Sequence, residues 1–294
     1  MDRTYSIVIP CYNEAGYIAQ TLSSLAQQSY PGGYEVIVVD NNCTDATATI
    51  AAALGARVVR EPTPGVCAAR QAGTLASSGQ IVISADADTT YPPDWLEKVD
   101  RRFAADDRTI AVMGPCRYHD GPVWGKVYAR LLFGAVNVVY RTTGRIWYVS
   151  ATNIAFHKRY WTGYDLNLPQ GGDELDLLRN LRGQGKVVFD ATNPTLTSGR
   201  RLRRGLAYNF FVTLLVHYLL AYWVNRLLRR QVLGAAPVYR DNGRPVQARL
   251  RAAALAVAVV MLLLLPFSGT RHYVAHTSHT VVGHLITEIA EVRG

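Results

Sequence analysis

Short apolar runs alternate, in the amino-terminal part of the chain, with stretches whose apolar residues recur at helical spacing. Residues 5–9, residues 34–39, Arg57–Arg60 and Ile81–Ser84 read as strands. Between them, "CYNEAGYIAQTLSSLAQQ" sets Ile18, Leu22 and Leu25 on one helical face, and "DNNCTDATATIAAALGA" passes from turn chemistry at Asn41, Asn42 and Thr44 into an alanine-rich helix. "GVCAARQAGTLASSG" is a third helix, flanked by glycines. Strands alternating with helices predict a mainly parallel sheet covered on both faces. No G-x-G-x-x-G follows the first strand, which weakens a dinucleotide site.

Beyond Gly121 the pattern changes. Residues 121–150 mix aromatic and aliphatic side chains with scattered arginines, and fit either a helix on a bilayer surface or a core helix beside an acceptor site. Residues 206–224 carry no formal charge and are long enough to span, yet Asn209, Thr213 and His217 form a polar stripe. Residues 252–267 are more apolar and somewhat short. If both crossed, the arginine-rich loop from Arg226 to Arg251 would face outward, against the positive-inside bias. The first segment is therefore expected to be interfacial or re-entrant, and the second to cross once or lie in the surface. A buried helical hairpin is the soluble alternative.

Composition narrows the partners. The 294 residues are 49% hydrophobic, generous for a wholly soluble enzyme, and the net charge of +9 is carried almost entirely by arginine. Arginine pairs with phosphate in fork geometry, so nucleotides and anionic headgroups are the ligands to consider; no nucleic-acid reader motif appears. Cys11, Cys43, Cys67 and Cys116 lack zinc-site spacing, and a strand beginning at residue 5 leaves no room for a signal peptide. Reduced thiols in a cytosol-facing domain are expected. His272, His276, His279 and His284 read as interfacial side chains rather than a zinc set.

Two places carry candidate chemistry. Asp86 and Asp88 lie one residue apart where the run Ile81–Ser84 breaks into a turn, at the strand edge where α/β sheets bind ligands. Unneutralised they repel, and a hard cation resolves the conflict; alternatively an aspartate here caps a helix starting near Pro92. Asp173 and Glu174 follow two glycines at a helix start, where acids stabilise the dipole or serve as a base.

"SIVIPCYNEAGYI", "VVDNNCTDAT", "GVCAARQAG" and "SADADTTYPPDWL", in this order, resemble the GT-A catalytic domain of glycosyltransferase family 2, in its membrane-associated bacterial type. The resemblance spans about residues 4 to 200. It implies an α/β GT-A fold of the nucleotide-diphospho-sugar transferases and inverting transfer from a nucleotide-diphosphate donor. By resemblance, Pro10, Tyr12, Glu14 and Asp40 hold base and ribose, Arg70 reaches base or phosphates, Asp86 faces the ribose, and Asp88 is the more direct ligand of Mg2+ or Mn2+. The acid pair stands near the acceptor hydroxyl, with Asp173 the first choice of base; the family order Glu-Asp is reversed here. Arg200, Arg201 and Arg204 of "TSGRRLRRG" match an arginine motif that closes over the diphosphate, although the tryptophan of polymer synthases is absent.

The expectation is a catalytic domain over residues 1–204 and membrane-associated apolar helices over residues 205–294. The enzyme would use a UDP- or GDP-type sugar, a divalent metal and a lipid or lipid-linked acceptor at the cytoplasmic membrane face. The alternatives are a membrane-peripheral nucleotide or anionic-lipid binding module and, further off, a nucleotidyltransferase.

Overall fold

The computed structural model describes residues 3–166, 173–206 and 208–209, all within the first, Met1–Gly243, of two compact units. The expected segments at 206–224 and 252–267, and the four histidines, lie outside the described residues save for the first few positions. No helix among the described residues is long and apolar enough to cross a membrane.

Strand β1 (Tyr5–Cys11) is buried at all but one position, as the middle of a parallel sheet requires. It pairs in parallel with β2 (Tyr34–Asp40) and β4 (Ile81–Ser84), and β2 pairs with β3 (Arg57–Arg60). The helices between them are α1 (Ile18–Ala26), α2 (Thr47–Ala53) and α3 (Val66–Ala76). This half matches the sequence pattern element for element.

After β5 (Thr89–Thr90) and α4 (Trp95–Ala105) come β6 (Thr109–Met113), β7 (Cys116–Tyr118), α5 (Val123–Thr143), β8 (Ile154–His157), α6 (Asp173–Arg182), β9 (Lys186–Phe189) and β10 (Thr195–Thr197). The large sheet has the order β3-β2-β1-β4-β8-β6-β9, parallel except for β8, which runs against both neighbours. A second sheet, β5-β10-β7, stands beside it.

Alternation along the strands separates two cores. Tyr5, Ile7 and Ile9 face α1, α2 and α4 with Leu22, Leu25, Trp95 and Phe103. Val8, Ile37 and Val39 face α3, α5 and α6 with Phe133, Val136 and Leu178. A close approach occurs at Gly73 of α3, where a β-carbon would collide with Val8 and Val39. Helix α3 can seat on the sheet because that position carries none.

Candidate active site

The first two loops of the carboxyl edge are locked together by asparagines. Asn13 and Asn42 adopt φ of 54° and 66°, a left-handed turn that asparagine tolerates. Asn13 Oδ1 accepts from Thr44 N at 2.6 Å, and Thr47 Oγ1 accepts from Glu14 N at 2.8 Å. Buried Asn41 donates to Glu61 O and Thr63 O and accepts from Gly65 N, fixing the approach to α3. Asp40 Oδ1 accepts from Cys43 N at 2.8 Å, so it shapes the turn as well as ending β2. Pro10 lies past the last pairing with β4, and Tyr12 is exposed at the edge.

Arg70 is central but does not project into open space. It is 4% exposed: Nη2 donates to Asp86 Oδ1 at 2.7 Å, Nη1 to Ser84 Oγ, and Nε lies 2.9 Å from Asp173 Oδ2, an ion-pair distance without hydrogen-bond alignment. Burial opposes its charge, but Asp86 and then Asp173 more than restore it, so its proton is held more tightly than usual. Arg70, expected by resemblance at base or phosphates, is set between Asp86 and Asp173, orienting one carboxylate from each half of the site.

Asp88 belongs to a second cluster. The small sheet builds it: β5 follows Asp88, β10 runs into Ser198 and Arg200, and β7 runs into Asp120. Ser198 N donates to Asp88 O at 3.0 Å and Thr197 Oγ1 to its carboxylate at 3.3 Å. Arg200, in a 3-10 turn over Arg200–Arg204, lies 3.1 Å from Asp88 Oδ2 and donates to both oxygens of Glu14, with its guanidinium 4.5 Å from the Tyr17 ring centroid. Burial pushes Asp88 up to about 6, with Arg200 opposing. Neither Asp86 nor Asp88 caps α4, whose preceding residue is Asp94.

The three predicted arginines part company. Arg200 reaches the carboxylates; Arg201 is exposed; Arg204 donates to Tyr208 Oη at 2.7 Å. What aims Arg200 is Asp120, which pattern reading passed over: it accepts from Gly199 N, from Ser198 Oγ at 3.2 Å and from Arg203 Nη2 at 3.2 Å. The signal available was an Asp-Gly pair before a helix opening on proline.

Asp173 and Glu174 open α6. Asp173 is buried against Arg70; Glu174 is half-buried, and burial followed by the neighbouring Asp173 pushes it up to about 8. The two glycines before them lie outside the described residues. A separate depression lined by Arg108, Tyr160, Gln184 and Lys186 sits at the opposite, amino-terminal edge of β6 and β9, where Asp106 already holds both cations.

Among the described residues no three His, Cys, Asp or Glu side chains converge as a metal cage. The donor set still fits a hard cation of the Mg2+ or Mn2+ kind, which is bound through one or two carboxylates and takes its other ligands from phosphate and water. Asp88 is the better placed, its side chain only 15% exposed and ion-paired to Arg200 at 3.1 Å.

Residues 6–161 match the family model described as "Glycosyl transferase family 2". An uncharacterized glycosyltransferase of Mycobacterium tuberculosis is 47% identical over 94 residues, covering 32% of this chain and 41% of the relative. The undecaprenyl-phosphate 4-deoxy-4-formamido-L-arabinose transferase of Edwardsiella ictaluri is 33% identical over 150 residues, 48% of this chain and 44% of the relative. The dolichyl-phosphate hexose transferase of Haloferax volcanii is 34% identical over 93 residues, 32% and 40% respectively. The chain thus spans less than half the length of these curated relatives. Among solved structures, glucosyl-3-phosphoglycerate synthase of M. tuberculosis with Mn2+, UDP and glucosyl-3-phosphoglycerate superposes with TM-score 0.53 at 24% identity, over 69% of this chain and 74% of that one. S. aureus TarS with UDP gives 0.56 at 18%, over 68% and 62%. At these identities the superpositions establish the fold, GT-A.

Proposed function

The chain belongs to glycosyl transferase family 2 and is a transferase, and from that premise we propose that it moves a sugar, with inversion, from a nucleoside-diphosphate donor to a lipid or lipid-linked acceptor at the cytoplasmic face of a membrane. One observation carries the reading: Arg200 joins Glu14 and Asp88, residues from the first and fourth β/α units, at the sheet edge where donors bind. A cation held there by two carboxylates is poised to take the charge of a departing diphosphate.

Glu14, Asp40 and Tyr12 would hold the nucleoside, with UDP ahead of GDP because the superposed structures carry UDP. Asp86, oriented by Arg70, would face the ribose. Asp88, assisted by Asp86, would hold Mg2+ or Mn2+, which when bound supplies Lewis-acid neutralisation of the leaving diphosphate; the Mn2+ in the superposed synthase supports this. Glu174 is the better base. Asp173 is committed to Arg70, whereas Glu174 is less buried and binds its proton in the range where a general base works. From an acceptor hydroxyl it would take the proton as that oxygen attacks the anomeric carbon from the side opposite the diphosphate, which produces inversion; a phosphate acceptor, already ionised, would attack without it. The polyprenyl-phosphate transferases among the relatives support a lipid-borne acceptor.

The test is a thermal-shift panel of UDP, GDP and their sugars with and without Mn2+. A ligand at a hundredfold its Kd stabilises the folded state by about 2.7 kcal/mol. A manganese-dependent rise with UDP is expected, and it should vanish in Asp88→Asn. No rise with any nucleotide would sink the donor assignment.

A further inference from the structure

Helix α5 has two apolar faces. One, with Ala129, Phe133 and Val136, is buried against the sheet. On the opposite side Val123, Val127, Leu131 and Val138 fall within one narrow sector of the helical wheel, and Val123, Leu131 and Val138 are 77%, 70% and 61% exposed. Gly134, in the same sector, has open space above it. A surface helix normally keeps its outward face polar, so a second stripe along most of 21 residues needs a covering partner.

Charge identifies that partner. Exposed Arg130 and Arg141 run along one edge of the stripe, and half-exposed Trp124 and exposed Tyr128 flank the other. Exposed Arg145 and Trp147 follow the helix. Between Asp120 and Asp165 the sequence contains no acidic residue. A second copy docking through this face would oppose arginines with nothing to neutralise them. An anionic bilayer answers both features, since it accepts apolar side chains below its headgroups and cations and aromatic rings at their level.

We propose that the outward face of α5 is a docking surface for an anionic lipid bilayer. This rests on the membrane-face reading above and gives it a specific surface. The position suits that reading. Gly125, on the buried side of the first turn of α5, packs on Leu202 of the turn that bears Arg200, so a bilayer seated on the stripe would lie one helix diameter, ~10 Å, from that turn. An acceptor held in that bilayer would reach the site by moving within the membrane plane.

The experiment uses the full chain with Cys43→Ser and one introduced thiol, Leu131→Cys or Val138→Cys, carrying an environment-sensitive NBD fluorophore. Ala104→Cys, exposed on α4 across the sheet, is the control. Vesicles of phosphatidylcholine with increasing phosphatidylglycerol are added without donor or acceptor. Emission at 131 and 138 should shift to the blue and gain about twofold or more in intensity on anionic vesicles, while 104 stays unchanged. Arg130→Glu with Arg141→Glu should remove more than about half of that gain.

Sedimentation of the chain with vesicles without a shift at 131 and 138 would overturn the proposal, because another segment would then be the anchor. Failure to sediment would overturn it too, as would a blue-shifted signal before vesicles are added, which would mean that protein covers the stripe. Transfer to a polyprenyl phosphate in detergent is measured separately. Activity without the shift removes the surface and keeps the function, and the shift without activity does the reverse.

Discussion

Arg200 grips Glu14 through both Nη atoms, at 2.8 and 2.7 Å, although 186 positions separate them in sequence. The same Nη2 lies 3.1 Å from Asp88, so one guanidinium balances two carboxylates that would otherwise repel across the site. Arg200→Lys keeps the charge and loses the fork. Turnover should fall at least about a hundredfold, the scale of losing a charge-stabilising donor in a transition state. Urea unfolding should show a loss of about 1–3 kcal/mol, because two partly buried carboxylates are left poorly paired. Near-normal kinetics in the lysine variant would remove Arg200 from the chemistry.

Asp120 acts on Arg200 from outside the site. Its carboxylate takes Gly199 N, Ser198 Oγ and Arg203 Nη2, fixing the start of the turn from which Arg200 projects. Asp120→Asn halves that acceptor capacity. The donor KM should rise about tenfold with a smaller fall in kcat, and stability should drop by about 1–2 kcal/mol, in the range of a lost helix cap. Asp120→Glu should restore part of the KM. Equal stability losses in both variants with an unchanged donor KM would reduce Asp120 to a structural cap.

At Gly73 the constraint is steric. A β-carbon there meets Val8 and Val39, side chains locked in the sheet rather than flexible ends. Gly73→Ala should cost about 1–3 kcal/mol by overpacking, although alanine is the better helix former. The change should appear as a lower urea midpoint at unchanged slope, with KM intact below the transition. A stabilised variant would mean that α3 lifts from the sheet without penalty.

The amino-terminal β/α units were legible because each strand is a continuous apolar run and each helix carries an apolar stripe, so periodicity alone separates them. The edge pair Asp86 and Asp88 followed, since a parallel sheet puts all its strand ends on one side, whereas Glu14 and Asp40 were reached through the family resemblance. Strand β8 was not legible: four residues, three of them buried, between antiparallel neighbours look like any short apolar segment. The small sheet was harder still, its strands being two or three residues long and made by partners far apart in sequence. That sheet is what brings Asp88, Asp120 and Arg200 together, so Asp120 had no local signal of its role. Arg70 was visible as a site residue, but its direction was not, because its ion-pair partners lie on β4's loop and on α6.

Glu174 sets the expected pH dependence. Burial, and then repulsion from Asp173, hold its proton in the folded protein up to about pH 8, against a reference value of 4.5. As base it must be ionised, so kcat should rise roughly tenfold from pH 7 to 9 and level off. Stability runs the other way. Between those two values the folded state binds the proton that the unfolded chain has released, so stability is full below about pH 4.5 and is lost as pH rises towards 8. Glu174→Gln should abolish the rise in turnover and be the more stable form at pH 9, on the order of 1–3 kcal/mol given its partial exposure, while matching wild type near pH 4.5. Asp173→Asn should instead lose stability at neutral pH, because Arg70 loses a buried partner. A wild-type rate profile in Glu174→Gln, with the alkaline rise abolished in Asp173→Asn, would transfer the base role to Asp173.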